Sequence, residues 1–86
     1  MQVTWRRKDQ DFPLMVETHR FINDARFSVD FIPRFGEWNL VIDDVTPADE
    51  GVYLCSVVTH AHNDLTFPVK LNVKSESPDY VISMIK

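Results

Sequence analysis

Apolar residues in this chain recur at every second position in short runs, and nowhere at helical spacing for long enough to make a helix. Phe27 and Val29 alternate with Ser28 and Asp30. Trp38, Leu40 and Ile42 alternate with Asn39, Val41 and Asp43, and Val69, Leu71 and Val73 alternate with Lys70 and Asn72. A period of two with one apolar face describes a half-buried antiparallel strand. Prolines at 13, 33, 47, 68 and 78 punctuate the chain between runs rich in Val, Ile, Phe and Trp. The expectation is an all-β domain of many short strands, with two antiparallel sheets packed face to face as a sandwich. The best local helical candidate, Pro47-Ala48-Asp49-Glu50, reads as a loop turn.

The patterning predicts strands over 3–8, 12–16, 26–30, 38–43, 52–58 and 65–73. Residues 75–79 (Ser-Glu-Ser-Pro-Asp) read as a linker, and 80–86 as one further strand. With 86 residues there is room for one small domain, assigned to 1–74, followed by the linker and extra strand at 75–86.

Composition excludes several classes. A net charge of −4 argues against binding to a nucleic-acid backbone. No apolar stretch approaches the ~20 residues of a membrane span, and no signal peptide is visible in this chain. The single cysteine cannot form a disulfide within the chain, and the usual Cys/His zinc spacings are absent. Nothing resembles a nucleophile–base–orienter set. The expectation is therefore a protein without catalytic activity, small-molecule substrate, cofactor or metal.

Asp49-Glu50-Gly51-Val52-Tyr53-Leu54-Cys55 fits the pattern D-x-G-x-Y-x-C. With Trp5, the run Arg26-Phe27-Ser28-Val29 and the run Trp38-Asn39-Leu40-Val41-Ile42 in the right order, the chain resembles the immunoglobulin superfamily over roughly residues 3–74. The long span between Trp5 and Cys55 leaves room for strands C′ and C″, which only variable-type domains have, and the resemblance implies strands C over 3–8, C′ over 13–17, C″ over 20–23, D over 26–31, E over 37–43, F over 51–58 and G over 65–73. Within the superfamily, 26–58 looks most like the first domains of the Dpr/DIP neuronal adhesion receptors of invertebrates and their vertebrate IgLON relatives. The resemblance implies a structural set. Trp5 would pack on the cysteine position, Tyr53 would pin the corner between strands E and F, and Arg26 would pair with Asp49. Gly51 would let the chain turn tightly into strand F. It also implies strands A and B before strand C, and a strand B cysteine as the disulfide partner of Cys55. The chain opens at strand C, so the expectation is an N-terminally incomplete immunoglobulin-like sandwich running from C to G.

Other readings of single features are weaker. Cys55 lies among neutral neighbours on the inward parity of its strand, which suits a buried thiol rather than a nucleophile. His60 and His62 have no further metal ligands in sight. Arg6-Arg7-Lys8, followed by Asp9 and Asp11, reads as a solvated strand end. The acidic pairs Asp43-Asp44 and Asp49-Glu50 match turn chemistry and not a calcium loop.

The two sheets differ on their outward parity. With Tyr53, Cys55 and Val57 inward, strand F turns Leu54, Ser56 and Val58 outward; the other sheet turns out Ser28, Asp30, Asn39, Val41 and Asp43. The run 12–16 has apolar residues at both parities, so part of it is expected to face out as well. An apolar outward patch marks a contact surface. The expected function is cell-surface or extracellular recognition of another immunoglobulin-like domain, homophilic or heterophilic, through the G-F-C-C′ face that the resemblance implies. The contact residues would be Leu54, Ser56, Val58, Met15, Thr4 and Arg6, with Lys70 and Asn72 at the rim. The alternative is an intracellular domain of a muscle or cytoskeletal protein, which a lone cysteine suits; the long Trp5–Cys55 span argues against it. Without strands A and B, strand E would present a bare edge. Val81 to Ile85 would fold back onto it or exchange with a second copy, which predicts self-association.

Overall fold

The computed structural model of the protein describes residues 2–58 and 64–73, and the backbone of 77–82. The strands are β1 (Gln2–Arg7), β2 (Pro13–Val16), β3 (His19–Arg20), β4 (Phe27–Ile32), β5 (Glu37–Val45), β6 (Gly51–Val58), β7 (Leu65–Leu71) and β8 (Ser77–Ile82). A 3₁₀ turn, Pro47–Asp49, joins β5 to β6. One sheet runs β3-β2-β1-β6-β7 and the other β4-β5-β8, with every pairing antiparallel.

Register follows from which parity can be buried, because a slip by one residue would turn each apolar set to solvent. Trp5 stands opposite Cys55 and Met15, and Cys55 opposite Phe67. In the second sheet Phe27 faces Ile42, Val29 faces Leu40 and Phe31 faces Trp38. These inner rows meet in a core where Trp5, Leu40, Ile42, Tyr53, Cys55 and Leu71 have no exposed surface. The indole Nε1 of Trp5 donates to the carbonyl of Trp38 at 3.2 Å, a bond that crosses between the sheets. Phe31 stacks on Trp38 with ring centroids 3.9 Å apart.

Five expectations are corrected. Met15, expected to face out as a contact residue, is 1% exposed. The ladder pairs Thr4 with Val16, Trp5 with Met15 and Arg6 with Pro13, so Leu14 is an extra residue. This β-bulge turns both Leu14 and Met15 inward, which alternation cannot show. Asn39, on the outward parity, is buried, with its amide nitrogen 3.5 Å from Glu37. The strand expected over 20–23 is the two-residue β3, His19–Arg20, and the chain bends at Ile22–Asn23 where that strand was expected to continue. Strand β7 stops at Leu71, two residues early.

The last correction concerns the tail. Strand β8 starts at Ser77, inside the expected linker, and includes Pro78. Proline is tolerated there because β8 is an edge strand. It pairs with β5 of its own chain from Val45–Ser77 to Leu40–Ile82, so the tail folds back onto the β5 edge, one of its two expected routes, and what is corrected is where the strand starts.

Candidate recognition face

The Asp49–Cys55 segment is held by a network that fixes how β6 leaves the corner. Asp49 is buried, and Arg26 grips its carboxylate with two parallel bonds of 2.8 and 3.0 Å. The same carboxylate accepts from the Thr46 amide at 2.9 Å. Arg26 also donates to Asp24, at 3.2 and 3.1 Å. These bonds hold the Asp49 and Asp24 carboxyls below the usual carboxylate range. The Tyr53 hydroxyl donates to the Asp49 carbonyl at 2.6 Å, and burial pushes that phenol up.

Arg7 completes the corner, a role its sequence context did not suggest. It donates to the carbonyls of Glu50 at 2.8 Å and Ala48 at 3.2 Å, and its guanidinium lies 5.3 Å from the Tyr53 ring centroid. Gly51 is required beside it. Its φ is +153°, and a Cβ there would sit 2.8 Å from the Arg7 Nη2. The signal was present in parity, since Arg7 shares the inward parity of Val3 and Trp5 while Arg6 does not.

Two predictions follow from this geometry. Tyr53→Phe removes the bond to the Asp49 carbonyl and is expected to cost on the order of 1 kcal/mol in a thermal melt. Burial pushes the Cys55 thiol up to about 12, so the reactive thiolate is scarce at neutral pH. A thiol reagent at pH about 8 is expected to label the native chain only as fast as it unfolds; prompt labelling would mean that strand β6 opens locally.

With the corner fixed, β6 turns one row of side chains outward. Leu54 stands between Arg6 and Pro68, with Pro13 beyond Arg6. The next row is Val16, Thr4, Ser56 and Thr66, where the Ser56 and Thr66 hydroxyls lie 3.3 Å apart. Val58 pairs with Gln2 above them and is exposed. Of the contact residues expected from the sequence, Thr4, Arg6, Leu54 and Ser56 are half-buried on one face. Lys70 and Asn72 are exposed along β7 and just past its end. Met15 does not share this face. Pro13, Val16 and Pro68 do, and only the register reveals it. His60 and His62 lie outside the described residues. Among the described residues, no group of three or more His, Cys, Asp or Glu is placed to hold a metal ion. No helix there is long and apolar enough to cross a membrane.

The immunoglobulin V-set domain model matches residues 1–74. The chain is 28% identical over 74 residues to lachesin from Schistocerca americana, covering 86% of this chain and 21% of that protein. It is 36% identical over 53 residues to lachesin from Drosophila melanogaster, covering 62% of this chain and 15% of that protein. The chain thus spans about a fifth or less of the length of these curated relatives. No solved structure matches it. The sandwich, the tyrosine corner with its Arg26–Asp49 clasp, and the family match over nearly the whole chain agree: this protein belongs to the immunoglobulin V-set family.

Proposed function

We propose that the chain is an extracellular recognition module that binds another immunoglobulin-like domain through the outer face of β2, β1, β6 and β7. One observation carries this reading, the polarity difference between the two outer faces. On the first, Pro13, Val16, Leu54, Val58 and Pro68 share adjoining rows with small hydroxyl side chains. On the second, the outward residues of β4 and β5 are Ser28, Asp30, Ile32, Glu37, Asn39, Val41 and Asp43, three of them acidic and two, Ile32 and Val41, apolar. Apolar side chains at Pro13, Val16, Leu54, Val58 and Pro68, set among Arg6, Thr4 and Ser56, suit a protein contact, in which their desolvation is favourable. The V-set match and the resemblance to neuronal adhesion receptors support the same face and a place at the cell surface. The β2–β3 hairpin, absent from typical muscle immunoglobulin domains, weakens the intracellular alternative.

The test is a binding screen against immunoglobulin-like ectodomains, followed by two substitutions. Leu54→Asp places a charge in a desolvated contact and is expected to weaken any hit by about tenfold or more while the melt stays within ~1 kcal/mol. Asp30→Lys on the other sheet is expected to leave binding unchanged. Equal effects of the two changes would remove the basis for this face.

A further inference from the structure

Strand β8 is a poorly matched occupant of the edge it covers. Its pairing with β5 is regular at one end, where Ile82, Val81 and Tyr80 stand opposite Leu40, Val41 and Ile42. At the other end three features work against it. Asp79 stands directly opposite Asp43, and like charges in that position are destabilising. The register then passes over Asp44 and Pro78, and proline has no N–H to donate. Asp44 itself holds a φ of +49°, which is uncommon for a residue with a side chain. Among the described residues no ion pair relieves Asp43. The Arg26 guanidinium reaches only the carbonyls of Asp43 and Asp44, at 3.5 and 3.2 Å, and pairs instead with Asp24 and Asp49.

The β5 edge, by contrast, is well placed to hold a strand. Leu40 and Ile42 are fully buried and Val45 almost so, so the residues of an incoming strand opposite Leu40 and Ile42 enter on the core side. Asp43 and Asp44 are exposed. A segment that adds to a sheet edge takes affinity from main-chain bonds and specificity from alternate side chains. We propose that the β5 edge is an acceptor for an extended strand of a second polypeptide, and that β8 is the resident strand this partner displaces. The edge specifies the chemistry of the partner: apolar residues opposite Leu40 and Ile42, a lysine or arginine opposite Asp43, and a residue other than proline opposite Asp44. This site lies on the β4-β5-β8 sheet and does not depend on the recognition face of the other sheet. Strand β8 keeps its place because its tether holds it at an effective concentration on the order of mM, so a strand matched tenfold better competes at about 0.1 mM.

The probes are two synthetic peptides of residues 75–86, one native and one carrying Pro78→Val and Asp79→Lys, each added to the intact chain. Fluorescence anisotropy of labelled peptide is expected to show the substituted one binding at least tenfold more tightly. Hydrogen exchange is expected to show the amides of the chain's own 77–82 losing protection as that peptide binds. Asp79→Lys within the chain is expected to secure β8, raising the melting temperature and weakening capture of the substituted peptide tenfold or more. Equal binding of the two peptides overturns the proposal, because the edge would then not read the position opposite Asp43. Binding that leaves the 77–82 amides protected places the peptide outside β8 and overturns displacement. No binding of the substituted peptide up to about 1 mM overturns the acceptor edge itself. An unchanged melt and unchanged capture in Asp79→Lys would show that the Asp43–Asp79 pair does not weaken β8, which also overturns it.

Discussion

Deleting residues 76–86 is expected to lower the melting temperature by roughly 15 °C or more, or to abolish a cooperative transition altogether. Among the described residues strand β8 is what flanks β5 on the side away from β4, with register pairs from Val45–Ser77 to Leu40–Ile82. Its removal strips β5 of a ladder whose bonds contribute about 1 kcal/mol each. It also leaves a bare edge beside Leu40, Ile42 and Val45, which are now fully or almost fully buried. A loss of about 3 kcal/mol in a domain of this size corresponds to such a shift. The bare edge is also a template for another strand, so the shortened chain is expected to associate as its concentration rises. Calorimetry and light scattering check both effects. An unchanged melt would mean that β8 adds nothing to the sandwich.

Arg26→Met is expected to cost about 3 kcal/mol, a figure near the low end for a broken buried ion pair. The low end applies because the Arg26 side chain is 30% exposed while that of Asp49 is 7% exposed. Methionine keeps much of the packing and leaves the Asp49 carboxylate with only the Thr46 amide and hydroxyl. Arg26→Lys is expected to fall between, since an ammonium restores the charge but not the two-pronged grip. The pH dependence separates the ion pair from mere packing. The Asp49 and Asp24 carboxyls titrate below their unfolded values because Arg26 bonds to them. The stability they contribute is therefore complete above their unfolded values, near pH ~4, and is lost as pH falls through their lower folded values. The deficit of Arg26→Met relative to wild type is expected to be largest at neutral pH and to shrink in acid. Denaturant melts across that range measure it, and a deficit independent of pH would mean that the pair is electrostatically idle.

Much of this protein is determined by its sequence alone, for a local reason. Alternation has a period that only a strand can use, so the runs around Phe27, Leu40, Tyr53 and Leu71 specify both strands and their inward faces. The Arg26–Asp49 clasp and the Tyr53 corner were legible only through the resemblance to the immunoglobulin superfamily, and the bonds show why those residue types are needed: a forked donor, a short carboxylate, and a ring with a hydroxyl at its tip. The outward position of Leu54, Ser56 and Val58 follows from the same parity.

Tertiary structure decided what depends on contacts between distant segments. One extra residue in β2 against β1 buried Met15 and left Pro13 and Val16 on the outer face, and a bulge leaves no mark in the alternation of its own strand. Arg7 became a clamp because β6 brings the Glu50 carbonyl within 2.8 Å of it, while its charged neighbours Arg6 and Lys8 pointed to solvent. Asn39 was buried although its parity points outward. Strand β8 began inside a segment whose serines and proline read as a linker, because the open side of β5 offered partners for its backbone that local propensity cannot register. Asp43 and Asp79 face each other only once β8 lies along β5. Residues that far apart in the chain acquire a common electrostatic field from the ladder between them, and from nothing in their own surroundings.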